Sequence, residues 1–327
     1  MTKSLPIEWG EAQALLTEAE RWGIVVHEKP DGDALGSGAA LAGLGRKLGK
    51  RVLWGGADRF PAGYRFLPES DGYRLIVDGH ELFRTVDLVV CLDTSNRDRS
   101  ISAMEERPSG LPLLVIDHHR DNERFGDVNI VYPEASSTAE LIWDLALQSG
   151  WPLGKEEALA LYTGLVTDCG RFSFSSTTPF SHLMAADLIE RGLRPDEVSR
   201  LIYNNRSLAA LHLWGRVFSR ALAVADGKAL ISWVALDDFS ETGATADETE
   251  GLVNELMSLQ GVTFAALLTE QPQLTRISLR SCGPVAAGDL ARRWSGGGHR
   301  QAAGCRLEMP LSEARQIVIR EIEALYE

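Results

Sequence analysis

An imidazole and two carboxylates, His27, Asp31 and Asp33, fall within seven residues in the stretch VVHEKPDGDALGS. Aspartates this close repel each other unless a cation or a proton lies between them. Three more stretches carry the same residue types directly after apolar runs. CLDTS holds Asp93, VIDHH holds Asp117, His118 and His119, and LVTDCGRF holds Asp168. Mixed imidazole and carboxylate donors suit borderline divalent ions, manganese above all, and no thiolate joins them to favour zinc. Two histidines and four aspartates are too many ligands for one such ion. The pattern predicts two ions about 3.5–4 Å apart with one carboxylate bridging them, a centre that activates water and stabilises in-line displacement at phosphorus.

Each piece alone has a plainer reading. An Asp after a strand is commonly a turn or helix cap, and Asp31 suits that role before a helix. DGDALG resembles the start of an EF-hand, but its twelfth loop position is Ala42 rather than Glu. GSGAALAG lacks the full nucleotide-binding fingerprint. The plainer readings fail jointly, because they require four separate element ends to carry ligand types by coincidence.

The elements that must position these groups read as alternating strand and helix. Residues 8–22 have helical spacing, GIVVH is a short strand, DALGSGAALAGLGRKLGK a small-residue helix and RVLWGG the next strand. DLVVCLDTS and LPLLVIDHH are nearly all apolar, as strands buried on both faces of a parallel sheet should be. STAELIWDLALQSG, KEEALALYTGLVTDCG and TTPFSHLMAADLIERG read as helices. Ligands in open α/β sheets bind at the carboxyl ends of the strands, so the seven His and Asp side chains other than Asp117 are expected in one crevice. Residues 193–221 form a helical stretch without strands. After Ala221 the pattern restarts with KALISWVAL as a strand, ADETEGLVNELMSL as a helix, VTFAALLTE and LTRISLRS as two strands, PVAAGDLARRW as a helix, the glycine-rich loop SGGGHRQAAG, the strand CRLEM and a final helix.

The chain has 327 residues, 44% apolar and 24% charged, which fits a globular protein of two domains. No apolar run reaches a membrane span, and the N-terminus lacks a signal-peptide pattern, so a cytoplasmic protein with no membrane partner is expected. The cysteines Cys91, Cys169, Cys282 and Cys305 form no CxxC and read as small buried residues. A net charge of −13 argues against long duplex nucleic acid. It leaves room for a small phosphorylated ligand in a basic pocket, and from Gln271 to Arg306 there are six arginines and one acid. Backbone N–H groups at Gly297 and Gly298, with His299, make a plausible anion nest.

HEKPDGDALGS, CLDTS, IDHH and TDCGRF, in this order, closely resemble the DHH phosphoesterase superfamily. GGGHRQAAG resembles the signature of its DHHA1 partner domain. The resemblance spans nearly the whole chain and is nearest the nanoRNase and pAp-phosphatase branch. It implies an α/β fold in three parts: a DHH domain with a mainly parallel Rossmann-like sheet (1–192), a helical connector (193–221) and a smaller α/β DHHA1 domain (222–327). It implies hydrolysis of oligoribonucleotides of about 2–5 nucleotides, and of 3′-phosphoadenosine 5′-phosphate (pAp), by a water activated between two Mn²⁺ ions; Mg²⁺ and Co²⁺ are alternatives. His27 and Asp31 would hold the first ion, Asp33, His118 and Asp168 the second, and Asp93 would bridge. His119 would donate to the scissile phosphate, and Asp117 would orient the imidazoles. Arg280, His299, Gly297, Gly298, Arg300 and Arg171 would bind substrate, the C-terminal domain clamping the far end of the nucleotide. Cys169 departs from the family pattern, where a small hydroxyl residue is expected. A RecJ-like single-strand DNA exonuclease and a phosphodiesterase for linear dinucleotides stay open as alternatives. A family II pyrophosphatase is disfavoured by GGGH, and a non-enzymatic sensor by the complete ligand set. The oligomeric state is open, a homodimer included.

Overall fold

The computed structural model describes residues 4–298 and 300–326, so His299 lies outside the described residues. The chain divides into two compact units, Met1–Asn204 and Asn205–Glu327.

The first unit runs α1 (Gly10–Glu18), β1 (Arg21–Val26), α2 (Gly32–Lys47), β2 (Arg51–Gly56), β3 (Tyr73–Leu75), α3 (Gly79–Phe83), β4 (Leu88–Leu92), β5 (Leu113–Asp117), β6 (Val128–Val131), α4 (Thr138–Gln148), α5 (Lys155–Asp168), α6 (Pro179–Glu190) and α7 (Pro195–Tyr203). Its six strands are all parallel, in the order β3-β2-β1-β4-β5-β6. Alternate residues serve two cores. Ile24, Val26, Val90, Leu92, Leu114 and Ile116 pack with the large helical layer, while Val25, Val89, Cys91, Leu113 and Val115 pack on the other face. Burial on both faces explains the unbroken apolar runs.

The glycines of GSGAALAG serve packing. A Cβ on Gly36 of α2 would come within 2.4 Å of the Ala160 carbonyl oxygen on α5, and one on Gly164 within 2.7 Å of the Asp33 carboxylate. Only backbone-close contact lets α2, which starts at the acidic cluster, lie on α5, which ends at Asp168. The short strands β3 and β6 are absent from the sequence reading. Both are edge strands, and neither is fully buried, so neither carries a continuous apolar pattern.

The second unit runs α8 (Leu208–Ser219), β7 (Leu222–Val224), β8 (Ala229–Val234), α9 (Leu236–Thr242), α10 (Leu252–Leu256), β9 (Phe264–Glu270), β10 (Thr275–Ser281), α11 (Ala287–Arg293), β11 (Gly297–Gly298), β12 (Ala302–Leu307) and α12 (Leu311–Ala324). Its sheet has the order β11-β12-β10-β9-β8-β7, with β8 and β9 parallel and the other pairs antiparallel. The two units together form an α/β fold with a parallel Rossmann-like sheet first and a smaller α/β unit second.

Three local differences from the sequence reading have physical causes. Residues 193–221 hold two helices, α7 and α8, interrupted before Ser207, whose hydroxyl caps α8 by accepting from the Ala210 N–H at 3.0 Å. The helix expected over ADETEGLVNELMSL is a 3₁₀ turn and the short α10, broken where Gly251 takes φ 85°. Part of the expected glycine-rich loop is strand, because Gly297 and Gly298 pair with Gly304 and Ala303. Of the cysteines, Cys91, Cys169 and Cys305 are buried and Cys282 is exposed. Among the described residues, no helix is long and apolar enough to cross a membrane.

Candidate metal centre

β1, β4 and β5 lie side by side, with Val26 opposite Leu92 and Leu92 opposite Ile116. Their carboxyl ends therefore deliver His27, Asp93 and Asp117–His118–His119 to one rim. The strand order reverses between β1 and β4, the place where open sheets part their loops and leave a crevice. Asp93 turns into that crevice with φ 53°, a left-handed backbone that a residue with a side chain adopts at a cost of about 1–3 kcal/mol.

The imidazoles are aimed by their second nitrogens. His27 Nδ1 donates to the Glu28 carbonyl at 2.6 Å, so its Nε2 faces Asp31 Oδ1 at 3.8 Å and Asp93 Oδ2 at 3.7 Å. His118 Nδ1 lies 3.4 Å from the Ala135 carbonyl oxygen. Its Nε2 is 3.2 Å from Asp168 Oδ2, 3.6 Å from Asp93 Oδ1 and 3.9 Å from Asp33 Oδ2. Such outer bonds fix the tautomer of a ligating histidine. His27, Asp31 and Asp93 form one group with donor atoms within 4.8 Å of one another, and Asp33, His118 and Asp168 form a second. Asp93 belongs to the first and offers its other oxygen to the imidazole of the second.

His119 differs. Its Nδ1 donates to Asp117 Oδ1 at 2.7 Å, and the same nitrogen is 3.6 Å from Asp93 Oδ1. A protonated Nδ1 is a hydrogen-bond donor, not a metal ligand. Asp117 is fully buried, and its Oδ1 also accepts the N–H groups of His118 and His119 at 2.8 and 3.2 Å, while Oδ2 accepts from Asn122 at 2.6 Å.

The electrostatics ask for positive charge. Burial and the neighbouring Asp93, Asp168 and Asp31 push the Asp33 carboxyl well above the usual range, and burial with Asp31, Asp93 and Asp117 does the same at Asp168. Burial would lower the His27 imidazole, but Asp31 and Asp93 outweigh it and raise it to about 10. Burial opposes Asp117 at His119 in the same way, and that ring rises to about 9. Burial raises the Asp31 carboxyl, but His27 and the N–H groups of Ala34 and Asp33 bring it below the ordinary range. Asp31 thus caps α2 and also faces the cluster, so the plainer reading of this residue and the chemical one are both true. The donor set fits a divalent cation: hard oxygens, two oriented imidazoles, and two carboxyls, Asp33 and Asp168, whose mutual crowding with the other acids a cation would relieve.

Thr138 and Ala139 were not among the residues singled out in the sequence. The N–H groups of Thr138 and Ala139, at the start of α4, donate to Asp33 Oδ2 at 2.6 Å and Oδ1 at 2.9 Å, and the Thr138 hydroxyl donates to Asp93 Oδ1 at 3.0 Å. The SSTAE stretch marks a helix start, with Ser137 as cap, but nothing local says which carboxylate it meets. Asn122 was also missed. Cys169 is a buried thiol that burial pushes up to about 11, with its sulfur accepting the Phe172 N–H at 3.3 Å.

Arg171 lies in the turn after Asp168 with its guanidinium 4.8 Å from the Tyr203 ring centre. In the second unit, Arg280 on β10 sits opposite Ala302, one residue from the Ala303 that pairs with Gly298. Its Nε donates to Asn254 Oδ1 at 2.8 Å. Arg292 and Arg293 are paired with Asp289 and Glu321, whereas no carboxylate among the described residues lies within ion-pair distance of Arg280. Arg300 is exposed and donates to the Pro284 carbonyl at 3.2 Å.

Known proteins resemble this chain in sequence and in fold. The family model described as DHH family, N-terminal domain, matches residues 21–165, and that of the DHHA1 domain matches residues 226–326. The chain is similar to the bifunctional oligoribonuclease and PAP phosphatase NrnA of Bacillus subtilis, with 32% identity over 284 residues, 86% of this chain and 87% of that one. It is 31% identical over 301 residues to the protein of the same name from Thermus thermophilus, covering 91% and 88% of the two chains. A solved structure, an exopolyphosphatase-related protein from Bacteroides fragilis, superposes with a TM-score of 0.91 at 29% identity over 97% of this chain and 96% of its own.

Proposed function

The chain belongs to the DHH family, and from that premise we propose that it is a two-metal phosphoesterase that hydrolyses oligoribonucleotides of about 2–5 nucleotides to mononucleotides and pAp to AMP. One observation carries the reading: Asp93 presents Oδ2 to His27 and Oδ1 to His118, at 3.7 and 3.6 Å. A carboxylate so placed suits a bridge between two ions, with His27 and Asp31 on one side and Asp33, His118 and Asp168 on the other. Manganese is the ion we propose, since the set mixes imidazole with carboxylate and lacks thiolate. When bound, such ions supply Lewis acidity toward a phosphoryl oxygen and toward water.

The protein's own groups do the rest. Asp117 holds His119 through Nδ1 and keeps the ring protonated, which suits donation to a phosphate oxygen as negative charge develops there. The start of α4 holds Asp33 and, through Thr138, Asp93, so neither carboxylate must reorganise. Arg280 is proposed to hold the far part of the nucleotide together with Gly297, Gly298, His299 and Arg300, and Arg171 to attract the phosphate from the turn after Asp168. Charge-assisted bonds from Arg to phosphate are the strong ones. The similarity to the two NrnA proteins, named as oligoribonuclease and PAP phosphatase, supports the choice of substrates.

The test is a product time course on a 5′-labelled trinucleotide, a 24-mer and pAp, each with Mn²⁺, Mg²⁺, Co²⁺ or a chelator. Trinucleotide and pAp should be consumed with Mn²⁺ and spared by the chelator, with the 24-mer cleaved far more slowly. Hydrolysis that survives chelation would overturn the metal mechanism. A 24-mer degraded as fast as the trinucleotide would point to the single-strand exonuclease instead.

A further inference from the structure

Asp168 ends α5, and the chain then passes through Gly170, Arg171 and Phe172 with φ of 56°, 57° and 65°. Left-handed backbone is one that residues with a Cβ avoid, and two of them in succession need support. The support is local and complete. The Arg171 N–H donates to the Val166 carbonyl at 2.9 Å, Phe172 to the Cys169 sulfur at 3.3 Å and Phe174 to the Cys169 carbonyl at 3.1 Å. The reversal lays Phe172 against His182 on α6, the rings stacked 4.8 Å apart and tilted by 20°. It also leaves Phe174 46% exposed. Gly170 is what permits this, since a Cβ there would come within 2.5 Å of the Phe174 ring.

Beside the stacked pair is a shallow cavity of about 550 Å³, wide open to solvent and lined by Thr177, Thr178, Pro179, His182 and Leu183. Thr177 Oγ1 lies 3.5 Å from the Cys169 carbonyl, which ties the cavity wall to the residue next to Asp168. The lining offers the apolar surface of Pro179 and Leu183, one aromatic ring, that of His182, two hydroxyls, and neither lysine, arginine nor carboxylate. It offers a phosphate no lysine or arginine, and the first free N–H groups of α6 are already taken by the Thr178 side chain. The lining suits a flat neutral heteroaromatic ring, which stacks on aromatic faces whatever its identity.

We propose that the turn 170–174 and this cavity form a nucleobase subsite, in which the base of a nucleotide whose phosphate reaches the Asp168 side of the metal centre stacks on His182 and beside Phe174. The proposal rests on the nucleotide substrates inferred above. It adds that the first unit by itself reads a base, without preference among bases, and that the rigid left-handed turn couples that base to the ligand Asp168.

The test compares kcat/KM of the wild type, His182→Ala and Phe174→Ala on the dinucleotide pApA and on two analogues, each with one base replaced by hydrogen. Both side chains are exposed, and a melting curve of each variant checks the fold. Each variant should lose about 10- to 100-fold on pApA, mostly in KM, and at least about tenfold less on one of the abasic analogues. Equal losses on all three substrates, or no loss on any, overturn the subsite. If the wild type does not hydrolyse pApA, the functional reading has failed. The subsite is then judged by saturation-transfer NMR with AMP: signal weakened in both variants upholds it, and signal equal to wild type overturns it.

Discussion

The hydroxyl of Thr138 donates to Oδ1 of Asp93 at 3.0 Å, joining the first residue of a helix to a carboxylate 45 positions earlier in the chain. The Thr138 N–H meanwhile donates to Asp33. One residue thus orients a carboxylate from each of the two groups. Thr138→Ala keeps the N–H and removes the hydroxyl, so Asp93 should lose orientation but not charge. The expected loss is about 10- to 100-fold in kcat, the worth of roughly one hydrogen bond to a charged group, with metal still bound. Asp93→Asn removes the charge itself and should cost more than about three orders of magnitude. An Asp93→Asn protein that keeps wild-type turnover when saturated with metal would exclude the bridging role.

His118 and His119 are neighbours, and opposite tasks are proposed for them. Calorimetric titration with Mn²⁺ should find two equivalents bound by His119→Ala and a weakened or missing equivalent in His118→Ala, while both variants lose turnover. A lost equivalent in His119→Ala would make that ring a ligand and remove its role as a phosphate donor.

Metal binding should release protons. In the metal-free protein burial would lower the His27 imidazole, but Asp31 and Asp93 push it up to about 10, so at pH 7 it is protonated, and these ion pairs contribute stability that is complete below pH 6.5 and is lost progressively as pH rises to about 10. A ligating imidazole must be neutral, so a cation has to displace that proton, and the upward shift of the Asp33 and Asp168 carboxyls makes the cost of ionising them oppose metal binding at low pH in the same direction. Affinity for Mn²⁺ should therefore rise from pH 6 to pH 8 by about tenfold per unit for each proton released. Titrations in two buffers of different ionisation enthalpy count those protons. Buffer-independent heats would mean that the apo site is already deprotonated.

Arg280 should act on the substrate rather than on the metal. Its guanidinium, which reaches from β10 to Asn254 of α10, is worth about 1.5–3 kcal/mol to a phosphate it contacts. Arg280→Ala should lower kcat/KM on a dinucleotide by about 10- to 100-fold, yet barely alter hydrolysis of bis-p-nitrophenyl phosphate, which lacks the remote nucleotide phosphate. Comparable losses on both substrates would assign Arg280 to the fold.

The ligand types, their order and their attachment to element ends are local features, and the sequence determined them without help. Apolar runs stop at Val26, Leu92 and Asp117, and a strand buried on both faces has little choice but to be one. The α/β class followed from the same alternation of apolar runs and helical spacing. Pairing was another matter. Which oxygen of Asp93 faces which imidazole depends on β1, β4 and β5 being neighbours, and that order is a property of the closed sheet. The grip of α4 on Asp33 spans 105 residues, a contact that no local pattern encodes. Edge strands such as β3 and β6, half exposed and short, carry too little apolar periodicity to be read. The glycines of α2 resembled a ligand-binding run until α5 lay against them. In each case the deciding interaction joins segments distant in sequence, and its energy exists only once the sheet and its helices have brought them together.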